Sequence, residues 1–138
     1  MSWHDETPRR ARAIGLPAGP PDIVLLGTGW RPRALIRAQL IEDGYEVLAT
    51  NSWATTRRAL RPGSEPHLVI IDLEGLPQPA EVLRELRGLM HPNRVLILSG
   101  LGTVARGEIE RLGFHVVTRP IAIRDVIAAA AHALEALE

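Results

Sequence analysis

Five short apolar runs alternate along this chain with five stretches of helical periodicity, and that alternation leaves few ways to fold. The runs are Ile23-Val24-Leu25-Leu26, Tyr45-Glu46-Val47-Leu48-Ala49, His67-Leu68-Val69-Ile70-Ile71-Asp72, Arg94-Val95-Leu96-Ile97-Leu98-Ser99 and Phe114-His115-Val116-Val117-Thr118. Runs this short and this apolar read as strands buried on both faces, which is the pattern of a parallel sheet. Between the first two, Leu35, Ile36, Leu40 and Ile41 recur at helical spacing behind Pro32, with Gly44 as the stop. Ser52 is a candidate N-cap for a short second helix through Trp53, Arg57 and Leu60, ended by Pro62-Gly63. Val82, Leu83, Leu86, Leu89 and Met90 share one face of a third helix that Pro92 ends. Gly100 to Leu112 predicts a looser fourth helix, weakened by Gly102 and Gly107. Ile123, Val126, Ile127, Ala130, Ala131, Leu134 and Leu137 line the last one.

The fold class expected is therefore α/β: a five-stranded parallel sheet with helices on both faces. Right-handed crossovers leave few strand orders, and the flavodoxin-like 2-1-3-4-5 leads among them. The length, 138 residues, suits one domain. Pro8, Pro17, Pro20 and Pro21, with Gly15 and Gly19, break any regular element near the start. Residues 1–21 are thus expected to be a flexible tail and 22–138 the domain.

Composition excludes several chemistries. There is no cysteine, so thiolate catalysis, disulfides and cysteine-ligated metals are out. All 16 basic residues are arginine, which removes Schiff-base lysines and a phosphate-loop lysine. They balance 16 acidic residues, so a nucleic-acid partner is not expected. No apolar run nears the roughly 18 residues of a membrane helix, and no membrane partner is expected. The opening MSWHDETPRR has no apolar stretch of the secretory kind, so a cytoplasmic location is expected.

In an open parallel sheet, chemistry gathers beyond the carboxyl ends of the strands. Those ends offer Gly27-Thr28-Gly29-Trp30-Arg31 after the first strand, Asp72 on the third, Ser99-Gly100 on the fourth and Thr118-Arg119-Pro120 on the fifth. In order and placement these residues resemble the receiver domains of two-component response regulators, and the resemblance spans Asp22 to about Leu137. It implies that Asp72 stands where the family has its phosphoacceptor. Ser99 takes the place of the hydroxyl that senses the phosphoryl group. Arg119-Pro120 matches a Lys-Pro pair in place but not in side chain. The segment Glu42-Asp43-Gly44-Tyr45-Glu46-Val47 is similar to the family's junction between first helix and second strand.

The departures are as informative. Family receivers carry two carboxylates after the first strand that hold Mg²⁺ together with the phosphoacceptor, and here those positions are Gly27 and Thr28. One strand-end carboxylate beside Arg119 and Arg31 is a poor site for a hard divalent cation. Val116 replaces the switching aromatic of the family, and the loop after Asp72 is one residue longer, through Gly75. The resemblance therefore implies a pseudo-receiver, a signalling module acting through protein–protein contact, with a protein partner or a second copy on the face of helix four, strand five and helix five. The chain ending with the last helix, no DNA-binding output domain is expected to follow. No cofactor and no metal are expected.

Plainer readings stand beside these. Asp72 is read as a relic salt-bridged to Arg119, with a phosphorylatable atypical regulator as one alternative. Ser99 is read as satisfying nearby backbone groups, and Glu74 as a solvated loop residue or partial stand-in for a lost metal ligand. The Gly27–Arg31 turn offers a rival function, since a glycine-rich turn before a helix can cradle a nucleotide or phosphorylated metabolite, although Pro32 spoils the full dinucleotide pattern. Trp30 is expected to be packed under the tail or exposed as a contact residue. His4, His67, His91, His115 and His132 do not cluster, and His115 is expected at the surface. Arg57, Arg58 and Arg61 are expected to be a solvated face, and the Ala128–Ala131 run to allow close packing of the last helix. With no nucleophile–base pair or paired carboxylates, an enzyme is not expected.

Overall fold

The computed structural model describes residues 19–100, 103–118 and 120–137. The five apolar runs form five strands: β1 (Ile23–Leu26), β2 (Val47–Thr50), β3 (Leu68–Asp72), β4 (Val95–Ser99) and β5 (His115–Thr118). All pair in parallel in the order β2-β1-β3-β4-β5, as the alternation of runs predicts. The connecting helices are α1 (Trp30–Glu42), α2 (Trp53–Arg58), α3 (Pro79–Leu89), α4 (Arg106–Arg111) and α5 (Ile123–Glu135). A short 3-10 turn, Pro92–Arg94, leads into β4.

Side chains of a strand alternate between faces, so each strand feeds two cores. Ile23, Leu25, Leu68, Ile70, Leu96 and Leu98 point to one face, where Ile36 and Leu40 of α1 and Val126, Ala130 and Ala133 of α5 cover them. Leu26, Val69, Ile71, Val95 and Ile97 point to the other, under Leu60, Leu83 and Leu86, Ile109 and Phe114. The alanines of α5 have the role their size suggests: Ala130 and Ala133 are buried, and α5 packs against α1. At the amino ends of the strands, buried Asp22 ties three of them together. Its carbonyl accepts from the amides of His67 and Leu68, and its Oδ2 accepts from the amide of Glu46 at 2.8 Å.

Element boundaries differ from the sequence reading in several places. The first helix begins at Trp30, two residues before Pro32, because Gly29 in an extended conformation serves as its N-cap. The second strand is shifted to Val47–Thr50, with Tyr45 and Glu46 spent in the approach. Arg94 and Phe114 fall just outside their strands. The fourth helix is only Arg106–Arg111, and Thr103 bonds back to Ser99 and Gly100 ahead of it. Ser52 does cap α2, its Oγ accepting from the Thr55 amide at 3.2 Å. Of the expected tail, residues 1–18 lie outside the described residues, and 19–21 lead into β1 without regular structure. Among the described residues, no helix is long and apolar enough to cross a membrane.

Candidate functional site

Asp72 sits at the carboxyl end of the sheet, half-buried at the end of β3. Gly27 is its neighbour across the β1–β3 pair. A Cβ at Gly27 would lie 3.9 Å from the Asp72 Cβ and 3.4 Å from the Arg33 Cβ. These are ordinary contacts, so packing alone does not forbid a side chain at position 27.

Arg33 is the residue that sequence reasoning missed. It stands in the first turn of α1 and folds back, its Nη1 donating to the Gly27 carbonyl. A part-buried guanidinium therefore lies at the mouth of the crevice beside the glycine. The only trace in the sequence is a basic residue soon after a helix start, and that says nothing of which way the side chain turns.

Thr28 and Glu74 build the near wall. Thr28 Oγ1 donates to the Glu74 carbonyl at 2.9 Å, and the Glu74 amide donates to Asp72 Oδ1 at 3.0 Å. The added residue in this loop, Gly75, has φ +76°. The Glu74 side chain is exposed. Thr28 is thus engaged with the β3–α3 loop, and Asp72 is braced by the amide two residues on, in the manner of an Asx turn.

Ser99 is buried at the end of β4, and its hydroxyl is turned to its own loop. Its Oγ lies 3.1 Å from Thr103 Oγ1 and donates to the Val104 carbonyl at 3.3 Å. Thr103 in turn closes on Gly100, its Oγ1 donating to the carbonyl at 2.6 Å and accepting from the amide at 3.2 Å. Arg119 lies outside the described residues, and Pro120 is exposed. The structure brings together Gly27, Thr28, Asp72 and the loop at Glu74, adds Arg33, and leaves the Ser99 hydroxyl within a separate network.

The Gly27–Arg31 segment is not a single turn, because Trp30 and Arg31 already belong to α1. Trp30 is 71% exposed, the second of the two placements expected for it. Of the histidines, His4 lies outside the described residues, His91 accepts from the Asn93 amide, and His115 is exposed. Among the described residues no group of three His, Asp or Glu side chains converges as metal ligands do. Arg57, Arg58 and Arg61 are exposed, as a solvated face requires, and Arg57 Nη1 also reaches Glu85 on α3 at 3.0 Å.

No family model matches the chain, and no curated protein matches it. Among solved structures it is similar to a response regulator receiver protein from Sinorhizobium medicae, with 24% identity over 84% of this chain and 95% of that one, at a TM-score of 0.67. It is similar to a response regulator receiver domain protein from Clostridium thermocellum, with 24% identity over 83% and 94% and a TM-score of 0.69. An adenylate cyclase from Rhodopirellula baltica also matches, with 20% identity over 82% and 86% and a TM-score of 0.69. At such identities the likeness is one of fold: the chain has the architecture of receiver domains.

Proposed function

We propose that this chain is a pseudo-receiver, a non-enzymatic signalling module of the cytoplasm. It works by protein–protein contact and has lost Mg²⁺-dependent phosphorylation at Asp72. The receiver fold supports the signalling part. The single observation behind the loss is the neighbourhood of Asp72, where Gly27 supplies no carboxylate and Arg33 supplies a cation.

A hard divalent ion is held by carboxylates and water, and it neutralises charge on a transferring phosphoryl group. The residues around Asp72 do not fit such an ion. Gly27 has no ligand atom in its side chain, Thr28 directs its hydroxyl proton to Glu74, and the guanidinium of Arg33 repels a second cation. Asp72 and Ser99 are then parts of a fixed loop scaffold.

The partner surface in this reading is the face of α4, β5 and α5, used by another protein or a second copy of the chain. β5 is an edge of the sheet, and Val116 and Val117 on it are half-buried beside exposed His115. Edge strands with partly exposed apolar side chains favour association.

The test is calorimetric titration with Mg²⁺, alone and with beryllofluoride as phosphoryl mimic. The native chain is expected to give no saturable heat at millimolar Mg²⁺. The triple variant Gly27→Asp, Thr28→Asp, Arg33→Ala is expected to gain binding that Asp72→Asn abolishes. Tight, Asp72-dependent binding by the native chain would overturn the proposal.

A further inference from the structure

Beside the Asp72 crevice, a separate cleft of about 460 Å³ opens between α2 and α3. Thr28, Trp53, Leu76 and Val82 are among its lining residues, and Leu76 and Val82 are buried apolar side chains. Glu81 and Glu85 line it from α3. Four residues apart, they share one helix face. They are the only ionisable side chains among the described lining residues, and both are acidic.

Glu85 is held in place. Trp53 Nε1 donates to its Oε2 at 2.9 Å and Arg57 Nη1 to the same oxygen at 3.0 Å. These two hydrogen bonds, that from Trp53 foremost, keep its carboxyl below the usual glutamate range. Both bonds end on Oε2, and Oε1 accepts none from any described residue. Arg57 is not among the lining residues, so it compensates Glu85 from outside the cleft. Glu81 has only an exposed contact with Arg84 at 4.0 Å, too long and too wet to neutralise it.

We propose that this cleft binds a small organic cation: a guanidinium or primary ammonium group on a short apolar body. The volume lies in the range of small-molecule sites, roughly 300–1,000 Å³. An anionic ligand would meet two carboxylates with no lining cation to offset them. A wholly apolar ligand would strip water from Glu81 and Glu85 and return nothing. A cation answers both, with charge-assisted hydrogen bonds to the carboxylates and attraction to the Trp53 ring, while its apolar body covers Leu76 and Val82. The phosphorylated ligands that a glycine-rich turn suggests do not fit here. The inference stands on this geometry and is independent of the loss of metal chemistry at Asp72.

The cleft is also lined by the loop that follows Asp72. Thr28, another lining residue, donates to the Glu74 carbonyl, and the Glu74 amide donates to Asp72. An occupant therefore braces the β3–α3 loop.

The full chain at low salt is titrated with N-butylguanidinium and with N-butylurea, its neutral isostere, following the indole N–H resonances by NMR. The guanidinium is expected to move the Trp53 resonance saturably, with the urea about tenfold weaker, the margin of a charge-assisted over a neutral pair. Glu81→Gln is expected to weaken the guanidinium by about three- to tenfold without disturbing the α2–α3 link, because its one ion pair is exposed. Glu85→Gln should weaken it likewise while also removing the ion pair with Arg57, and Glu42→Gln, at the exposed end of α1, should change nothing. Equal affinity for the two isosteres, tighter binding of ADP than of the guanidinium, or no saturable shift at Trp53 would each overturn the proposal.

Discussion

Gly75 meets two demands at once. Its φ of +76° lies where L side chains are strained, and a Cβ there would come within 2.6 Å of Thr28 Oγ1. Gly88, near the end of α3, meets neither, since nothing lies within 4 Å of its missing Cβ. One substitution should therefore act with opposite signs at the two sites. Gly75→Ala is expected to destabilise the fold by roughly 1–3 kcal/mol, from backbone strain and the displaced Thr28. Gly88→Ala is expected to stabilise it by roughly 0.5–1 kcal/mol, by restoring helix propensity. Urea denaturation of the two variants reads both signs. Both glycines are visible in the sequence, but only the backbone angle and the neighbouring hydroxyl distinguish them.

α2 is too short to persist by its own hydrogen bonds, because six residues barely pass the cost of nucleation. It is capped by Ser52, anchored by buried Thr56, whose Oγ1 lies 2.6 Å from Thr50 Oγ1, and tied to α3 through Glu85. The last tie is acid-sensitive. Hydrogen bonds from Trp53 and Arg57 lower the folded-state pKa of Glu85, so its contribution is present above the usual carboxylate range and lost as pH falls through the lowered folded value. Protection factors of the α2 amides, corrected for intrinsic exchange, are expected to fall in acid in the native chain, and Glu85→Gln is expected to flatten that dependence. The existence of α2 was legible from Ser52 and the stop at Pro62-Gly63. Its partner was not, because Trp53 and Glu85 are 32 residues apart and no local pattern pairs them. The short α4 was misread for a related reason. A helical pattern from Gly100 onward predicts one element, but Thr103 bonds back to Ser99 and Gly100, and the helix begins only at Arg106.

Across the whole molecule, protection should follow the sheet from its centre outward. β1, β3 and β4 are covered on both faces, and nearly all their side chains are inaccessible, whereas β2 and β5 are edges with exposed Leu48 and His115. Amides of the three inner strands are expected to exchange only through global unfolding, and those of β2 and β5 through local opening at lower free energy. Hydrogen exchange with residue resolution checks this. Equal protection of β5 and β3 would mean that β5 is already covered in solution, as association through the α4–β5–α5 face requires. Exchange measured over a concentration series separates the two cases.

Strand number, parallel pairing and the placement of Asp72, Ser99 and Gly27 at one end of the sheet followed from local properties, namely runs of apolar residues, caps and breakers. Each such signal lies within a few neighbours along the chain, and right-handed connections then leave little freedom of order. What the tertiary structure decided is which side chains meet at that end. Arg33 folds back onto Gly27, the Ser99 hydroxyl turns to Thr103, and Glu85 joins Trp53 to frame an acidic cleft. Those outcomes depend on rotamers and on loops brought close from distant parts of the chain, and neither is written in the spacing of residues.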